Sequence, residues 1–389
     1  MSAATQAIPA KPVSTQKDVQ DFDLDHWLLG AVLTLLSIGL VMVYSTTVAT
    51  GEFAGSTHYL FLQSTYIAFG LFLMWLVSRI EIDWWRSASR VLLIAAGVLL
   101  LLVLIPGTGV EVNGSRRWLP LGPIRVQASE VAKLCILIYA ADYLARKTET
   151  LQKFKDGIVN LAIIIGVASA LMLLEPDLGS TVVVAATVFG MMFLAGVRIT
   201  HFGFCLLVGI ALVAVLTVLS PYRMQRVVSF LRPFDDPFNS GFQLVQALIA
   251  LGRGEWFGVG LGGSIQKLFY LPHANTDFIL AVLGEELGLL GVTTVIVLFG
   301  IVLWRAFAIA RRADISGKHF AARVAQGVGI LLALQATINM GVNLGMLPTK
   351  GLTLPFMSYG GSSMLMSCVA IGLLLRIHTE TLPRSGGKR

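Results

Sequence analysis

Charge is scarce in this chain. Asp, Glu, Lys and Arg make up 13% of its 389 residues, about half of the ~25% usual for soluble domains. Cysteine is scarcer still. Cys135, Cys205 and Cys368 all lie in apolar surroundings and have no metal-ligand spacing. That excludes a disulfide framework and a zinc cluster, and leaves three small buried hydrophobes. The six histidines do not cluster, and no Gly-x-x-x-x-Gly-Lys-Ser/Thr loop occurs. Metal-centre chemistry of the His-rich kind and P-loop nucleotide chemistry therefore find no support.

What the chain has instead is long apolar runs. Its hydrophobic fraction is 56% and its mean hydropathy +0.78. A bilayer span needs about 20 mostly apolar residues. Blocks of that kind fall at 27–48, 59–78, 91–106, 128–145, 158–174, 178–196, 201–220, 278–304, 320–346 and 355–377. The pattern predicts an all-α integral membrane protein with about ten transmembrane helices. Its weakest boundaries are the short third block and the 174–178 junction. Residues 1–26, with Asp18, Asp21, Asp23 and Asp25, read as a disordered tail, and 378–389 as a second tail. The first apolar block is too long for the core of a cleaved signal and reads as an anchor.

The net charge of +7 is distributed in a way that speaks of topology rather than nucleic acid. With the N-terminus placed in the cytoplasm, 19 Lys and Arg fall on inner segments and 9 on outer ones, while Lys133 lies inside a span. Basic residues favour the cytoplasmic side of membrane proteins, so both termini are expected there. Two outer segments are long: 107–127, and 221–277 between the seventh and eighth spans. Long ordered loops usually carry function. Apolar stretches at 242–251 and 256–271 predict short amphipathic or re-entrant pieces in the second.

Ionisable groups near or within spans are candidates for function by default. Glu130 and Lys133, three apart, share a helix face and can pair, as a structural bridge or as part of a site. Glu175 and Asp177 lie in Glu-Pro-Asp-Leu-Gly, where Asp177 reads equally as the cap of the next helix. Asp277 opens the eighth span, where the helix dipole favours an acid. Glu285 and Glu286 lie about 12 Å further along at 1.5 Å per residue, Glu285 nearer the Asp277 face. Asn339 and Asn343 share a face and read as interhelical hydrogen-bonding partners. Ser358, Gly360 and Gly361 open the tenth span, where small residues permit close helix packing or close approach of a ligand. On the expected topology Glu130, Lys133, Glu175, Asp177, Asp277 and Lys350 all fall on the outer side, with Arg116, Arg117, Arg125, Arg223, Arg226, Arg232, Arg253 and Lys267. Carboxylates and cations together suit an anionic, membrane-tethered substrate.

The C-terminal third carries a longer pattern. Asn339, Gly345-Met346, Pro348-Thr349-Lys350-Gly351-Leu352 and Phe356-Met357-Ser358-Tyr359-Gly360-Gly361-Ser362-Ser363 resemble the signature of the SEDS family (shape, elongation, division and sporulation). Arg116-Arg117-Trp118, Ser129-Glu130 with Lys133, Glu175 to Gly179, Arg232-Pro233 and Gly260-Leu261-Gly262 extend the resemblance over residues 27–377. Ser264 to Pro272 and Pro348 to Pro355 look like the division branch rather than the elongation branch.

The resemblance implies a peptidoglycan glycosyltransferase of the bacterial inner membrane, polymerising lipid II at the septum and releasing polyprenyl pyrophosphate. It implies that the essential acid of the Thr-Asp-Phe context is Asp277, expected here as general base. His273 and Asn275 stand where the family commonly has Glu and His, so neither of those two groups is essential in the family's form. Lys133, Arg116, Arg117 and Lys350 are candidates to stabilise the leaving pyrophosphate, with Glu130 holding Lys133. The available carboxylates leave room for a divalent metal ion; no other cofactor is expected. The implied partners are lipid II and polyprenyl-linked glycan, a class B penicillin-binding transpeptidase with one transmembrane helix, and other divisome membrane proteins. A lipid II flippase and a non-enzymatic scaffold are the rival readings.

Overall fold

The structure is a computed structural model that describes residues 24–48, 53–112, 115–122, 124–268 and 270–382. The expectations for residues 1–23 and 383–389 lie outside the described residues. Ten helices answer the ten apolar blocks: α1 (His26–Val48), α2 (Phe53–Arg79), α3 (Ile82–Leu104), α4 (Ala128–Arg146), α5 (Asn160–Leu174), α6 (Leu178–Leu194), α7 (Ile199–Val218), α10 (Ile279–Ile315), α11 (His319–Asn343) and α12 (Gly361–Thr381). Without water in the bilayer core, a helix satisfies every backbone polar group internally, which is why such blocks fold this way. Among the described residues, eight helices are long and apolar enough to cross a membrane. The other two are α4, which carries Glu130, Lys133, Asp142 and Arg146, and α6, which is 17 residues long.

The packing has an inside and an outside. α4, α11 and α12 are largely buried, with α2 along α12, α10 along α11 and α3 along α4. α7 buries no residue and presents apolar side chains all round, as suits a helix facing lipid.

Several boundaries differ from the sequence reading. The short third block gains about two and a half turns across residues 82–90, which include Trp84, Trp85 and Arg86, so α3 starts at Ile82 rather than 91. The tenth helix starts at Gly361, because 355–360 form the loop that meets Asp277, and it continues through 378–381. Asp25, assigned to the tail, is buried: its Oδ1 accepts from Leu28 N at 3.1 Å and caps α1, and both oxygens bind Arg305. The fold is not wholly helical either. Within 107–127 the described residues form a three-stranded antiparallel sheet, β1 (Val110–Val112), β2 (Ser115–Leu121) and β3 (Ile124–Gln127). The β2–β3 turn uses Gly122 at φ +66, the left-handed region that glycine enters without cost to a side chain. β3 leads directly into α4, so the sheet fixes Arg116 and Arg117 beside the start of that helix.

Segment 221–277 is ordered around two short helices, α8 (Pro221–Leu231) and α9 (Phe242–Gly254). After α9 the chain braces a break in α10. Gly288 has φ 66 and ψ −163, so the helix is two rods, 279–287 and 289–315. Val259 N and Gly260 N donate to the carbonyls of Glu285 and Glu286 at 3.0 and 3.1 Å, and Leu289 N and Leu290 N donate to Glu255 and Trp256 at 2.9 and 3.2 Å. The groups freed by the break are thus paired across to the loop, as buried backbone requires. The approach is tight: a Cβ at Gly258 would lie 2.1 Å from the Glu286 carbonyl oxygen.

Candidate functional site

Asp277 sits just before the first rod of α10, and its backbone is held from three directions. The carbonyl of Asn275 accepts from Tyr359 N at 2.9 Å. That of Thr276 accepts from Ser358 Oγ at 2.6 Å, and that of Asp277 accepts from both Asn339 Nδ2 and Asn343 Nδ2 at 2.9 Å. Asn343 Oδ1 also accepts from Ala281 N at 3.0 Å, closing the N-terminus of α10, while Asn339 Nδ2 reaches Leu352 O at 2.6 Å. The expected asparagine pair is therefore the clamp on the acid. Ser358 Oγ accepts from Leu354 N at 2.8 Å as well, so this buried hydroxyl supports the loop and is not offered to a ligand.

The Asp277 carboxylate itself is unengaged. It makes no hydrogen bond or ion pair among the described residues, and its side is partly open. A Cβ at Gly351 would come within 3.3 Å of Oδ2, so glycine there leaves the acid room. Burial pushes the Asp277 carboxyl up to about 6, against the lowering pull of His273, Arg226 and Arg117. Loss of hydration disfavours the charged form more than these cations restore it.

The cations have their own anchors. Arg117 Nε donates to Glu175 O at 3.0 Å and Nη2 to Pro176 O at 2.6 Å. Arg226 Nη1 donates to Thr349 O at 3.1 Å, and its guanidinium lies 4.7 Å from the Tyr222 ring centre. Lys350 has no ion partner among the described residues. Burial lowers its pKa, Arg226 and Arg223 lower it further, and Asp177 opposes them. Asp177 Oδ1 caps α6 through Ser180 N at 3.1 Å, and Oδ2 accepts from Ser129 Oγ at 2.9 Å. Glu175 is fully buried with neither carboxyl oxygen hydrogen-bonded. Burial, then Asp177, raises it to about 8 despite Arg117, so at neutral pH it is an uncharged acid.

Asp277, Arg117, Lys350, Glu175 and Asp177 thus share one neighbourhood, as expected from the sequence. Arg116 lies next to Arg117 on β2 and is exposed. Glu130 and Lys133 pair at 2.8 Å but lie in the bundle core, on a small enclosed cavity with Gln335 and Ser367. No direct contact joins them to Asp277. Gly361 serves helix packing, since a Cβ there would meet the Tyr66 ring at 2.7 Å, while Gly360 caps α12 with extended backbone. Glu285 does not approach Asp277. Its oxygens are taken by Arg253 at 2.7 Å, Ile265 N at 3.0 Å and the Ser264 hydroxyl. Sequence reasoning left Arg226 and Gly351 unranked; only their contacts single them out. Among the described residues, no group of three or more His, Cys, Asp and Glu is placed to hold a metal ion.

The profile of the FtsW/RodA/SpoVE cell cycle proteins matches residues 26–382. The chain belongs to this family. Within the FtsW/RodA/SpoVE proteins it is 52% identical, over 92% of each chain, to "Probable peptidoglycan glycosyltransferase FtsW" of Nitrosococcus halophilus. A chain of a peptidoglycan synthase complex that coordinates polymerization and crosslinking superimposes with a TM-score of 0.76 at 31% identity, covering 93% of this chain and 99% of that one. The rod shape determining protein RodA of Thermus thermophilus gives 0.66 at 28% identity, covering 92% and 98%. The division-branch resemblance read from Ser264 to Pro272 and Pro348 to Pro355 is borne out by the FtsW relative. The chain is a multi-pass membrane protein.

Proposed function

We propose that this chain is a peptidoglycan glycosyltransferase that polymerises lipid II at the division septum. The observation that carries the reading is the Asp277 carboxylate: clamped through its backbone, free at its oxygens, and set near Arg226 and Arg117, with Lys350 in the field of Arg226. An acceptor sugar hydroxyl gives its proton to Asp277 as its oxygen attacks C1 of the donor. The C1–O bond to the pyrophosphate breaks, and the leaving group departs with the bonding pair. Arg117, Arg226 and Lys350 face the charge it gathers. A carboxyl raised towards 6 is a stronger base than an ordinary aspartate yet still ionised at neutral pH. Attack opposite the leaving group inverts the α-linked donor to a β-linked glycan.

The positive-inside charge distribution supports an extracytoplasmic position for this site and cytoplasmic termini. The described residues build no cage for a resident metal. A divalent ion fits here as a companion of the substrate pyrophosphate, with Asp277 the available carboxylate, and would supply charge neutralisation. The complex-derived structural relative supports a partner that crosslinks; we take that partner to be a class B transpeptidase with one transmembrane helix, working alongside other divisome proteins.

The test is polymerisation of labelled lipid II by the purified chain in liposomes, with and without the transpeptidase. Glycan strands from wild type and none from Asp277→Asn are expected. Polymer from Asp277→Asn at the wild-type rate would remove the acid from its role. Transbilayer movement of lipid II without polymer would favour a flippase, and neither signal a scaffold.

A further inference from the structure

The far end of α10 from Asp277 carries a site that the proposed reaction does not use. An open groove of about 1000 Å³ runs there between the ends of α10 and α12. Trp304, Phe307, Arg311 and Ile315 line it from α10, at spacings that put them on one helix face. Leu382 closes it from the α12 side, and Arg312 stands at its edge. The groove is thus apolar along its length, and its tip carries both arginines beside Glu380, whose carboxylate is taken by Arg376 and Lys318.

The charge there is uncompensated. The acids nearest the arginines are engaged: Asp25 with Arg305 at 2.6 Å, Asp314 with His319 at 3.0 Å, and Glu380 with Arg376 at 2.7 Å and Lys318 at 3.3 Å. Arg311 is exposed and makes no hydrogen bond or ion pair among the described residues. The Arg312 guanidinium meets only a ring nitrogen of His378, at 3.3 Å. An occupant that complements both walls is an amphiphile with an anionic head. Zwitterionic lipid satisfies the apolar wall but brings a cation towards the arginines. A free anion satisfies the arginines but leaves Trp304 and Phe307 bare.

We propose that this groove binds an anionic phospholipid, its phosphate on Arg311 and Arg312 and an acyl chain along Trp304 and Phe307. With the termini in the cytoplasm this end lies in the inner leaflet, where basic pockets beside helices select acidic headgroups. The site stands whether or not the chain polymerises glycan.

The test is native mass spectrometry of the delipidated full-length protein titrated with phosphatidylglycerol or phosphatidylcholine. The first phosphatidylglycerol should bind about tenfold more tightly, the effect of one to two basic residues near an acidic headgroup. Arg311→Gln with Arg312→Gln should erase the difference, and the corresponding Lys pair should keep most of it. Arg90→Gln with Lys155→Gln removes equal charge from the same end outside the groove and should change nothing. Equal binding of the two lipids by wild type overturns the proposal without recourse to any variant. So does an equal loss in the Arg90/Lys155 pair, or displacement by inorganic phosphate at matching concentration. A severalfold gain on deleting residues 1–23 would assign the groove to the chain's own N-terminal segment, through Asp18, Asp21 and Asp23, and overturn it too.

Discussion

Asp277 precedes the short rod of α10 and Glu285 and Glu286 lie in its last turn, yet their surroundings are opposite. Asp277 is partly open and its carboxylate binds nothing among the described residues. Glu285 and Glu286 are wholly buried, and every oxygen is occupied. Glu286 takes Lys267 at 2.6 Å and the Ser45 hydroxyl at 2.7 Å, tying α1 to the 264–267 segment. A carboxylate saturated by donors holds structure together; one held only by its backbone is available to accept a proton. The acid that looks least integrated is the one fit for chemistry.

That contrast can be broken first at Asp277. Asp277→Asn keeps size and backbone contacts, so thermal stability should hold while polymerisation falls by roughly 10²–10⁴, the usual worth of a general base. Glu286→Ala should do the reverse. Removing one partner of a buried pair costs about 3–5 kcal/mol, read as loss of folded, monodisperse protein; a variant as stable as wild type would show that Lys267 finds another partner.

The next test uses acidity. Asp277 must be ionised to act as base, so kcat/KM should fall on the acid side with an apparent pKa of about 6. Arg226 favours the carboxylate, so Arg226→Gln should move that limb to higher pH. A limb that stays put would uncouple Arg226 from the acid. The smallest effect belongs to Glu175. Its carboxyl is raised to about 8 in the fold and titrates near 4.5 unfolded, so its favourable contribution is full below 4.5 and lost as pH rises through 8. Glu175→Gln should leave activity at pH 7 near wild type and flatten the decline in thermal midpoint between pH 5 and pH 9.

Much of this was legible in the sequence because it is local. Apolar runs gave the helices, the i,i+3 spacing paired Glu130 with Lys133, and the i,i+4 spacing put Asn339 and Asn343 on one face. Asp177 reads as a cap from its position alone. What escaped was contact at long range. Nothing near Glu286 in the sequence announces Ser45, 241 residues away. The 107–127 sheet was hidden because its strands are three to seven residues long, too brief for alternation to stand out. The break at Gly288 was invisible because a lone glycine is tolerated in a helical pattern.

That break decides what moves with what. A continuous 37-residue helix would be a lever about 55 Å long, carrying any tilt of its membrane part straight to Asp277. Here the two rods are joined also through the loop after α9, which pairs with Glu285 and Glu286 on one and with Leu289 and Leu290 on the other. The orientation of Asp277 relative to the membrane portion of α10 is therefore set by residues 255–260 and not by helix continuity alone.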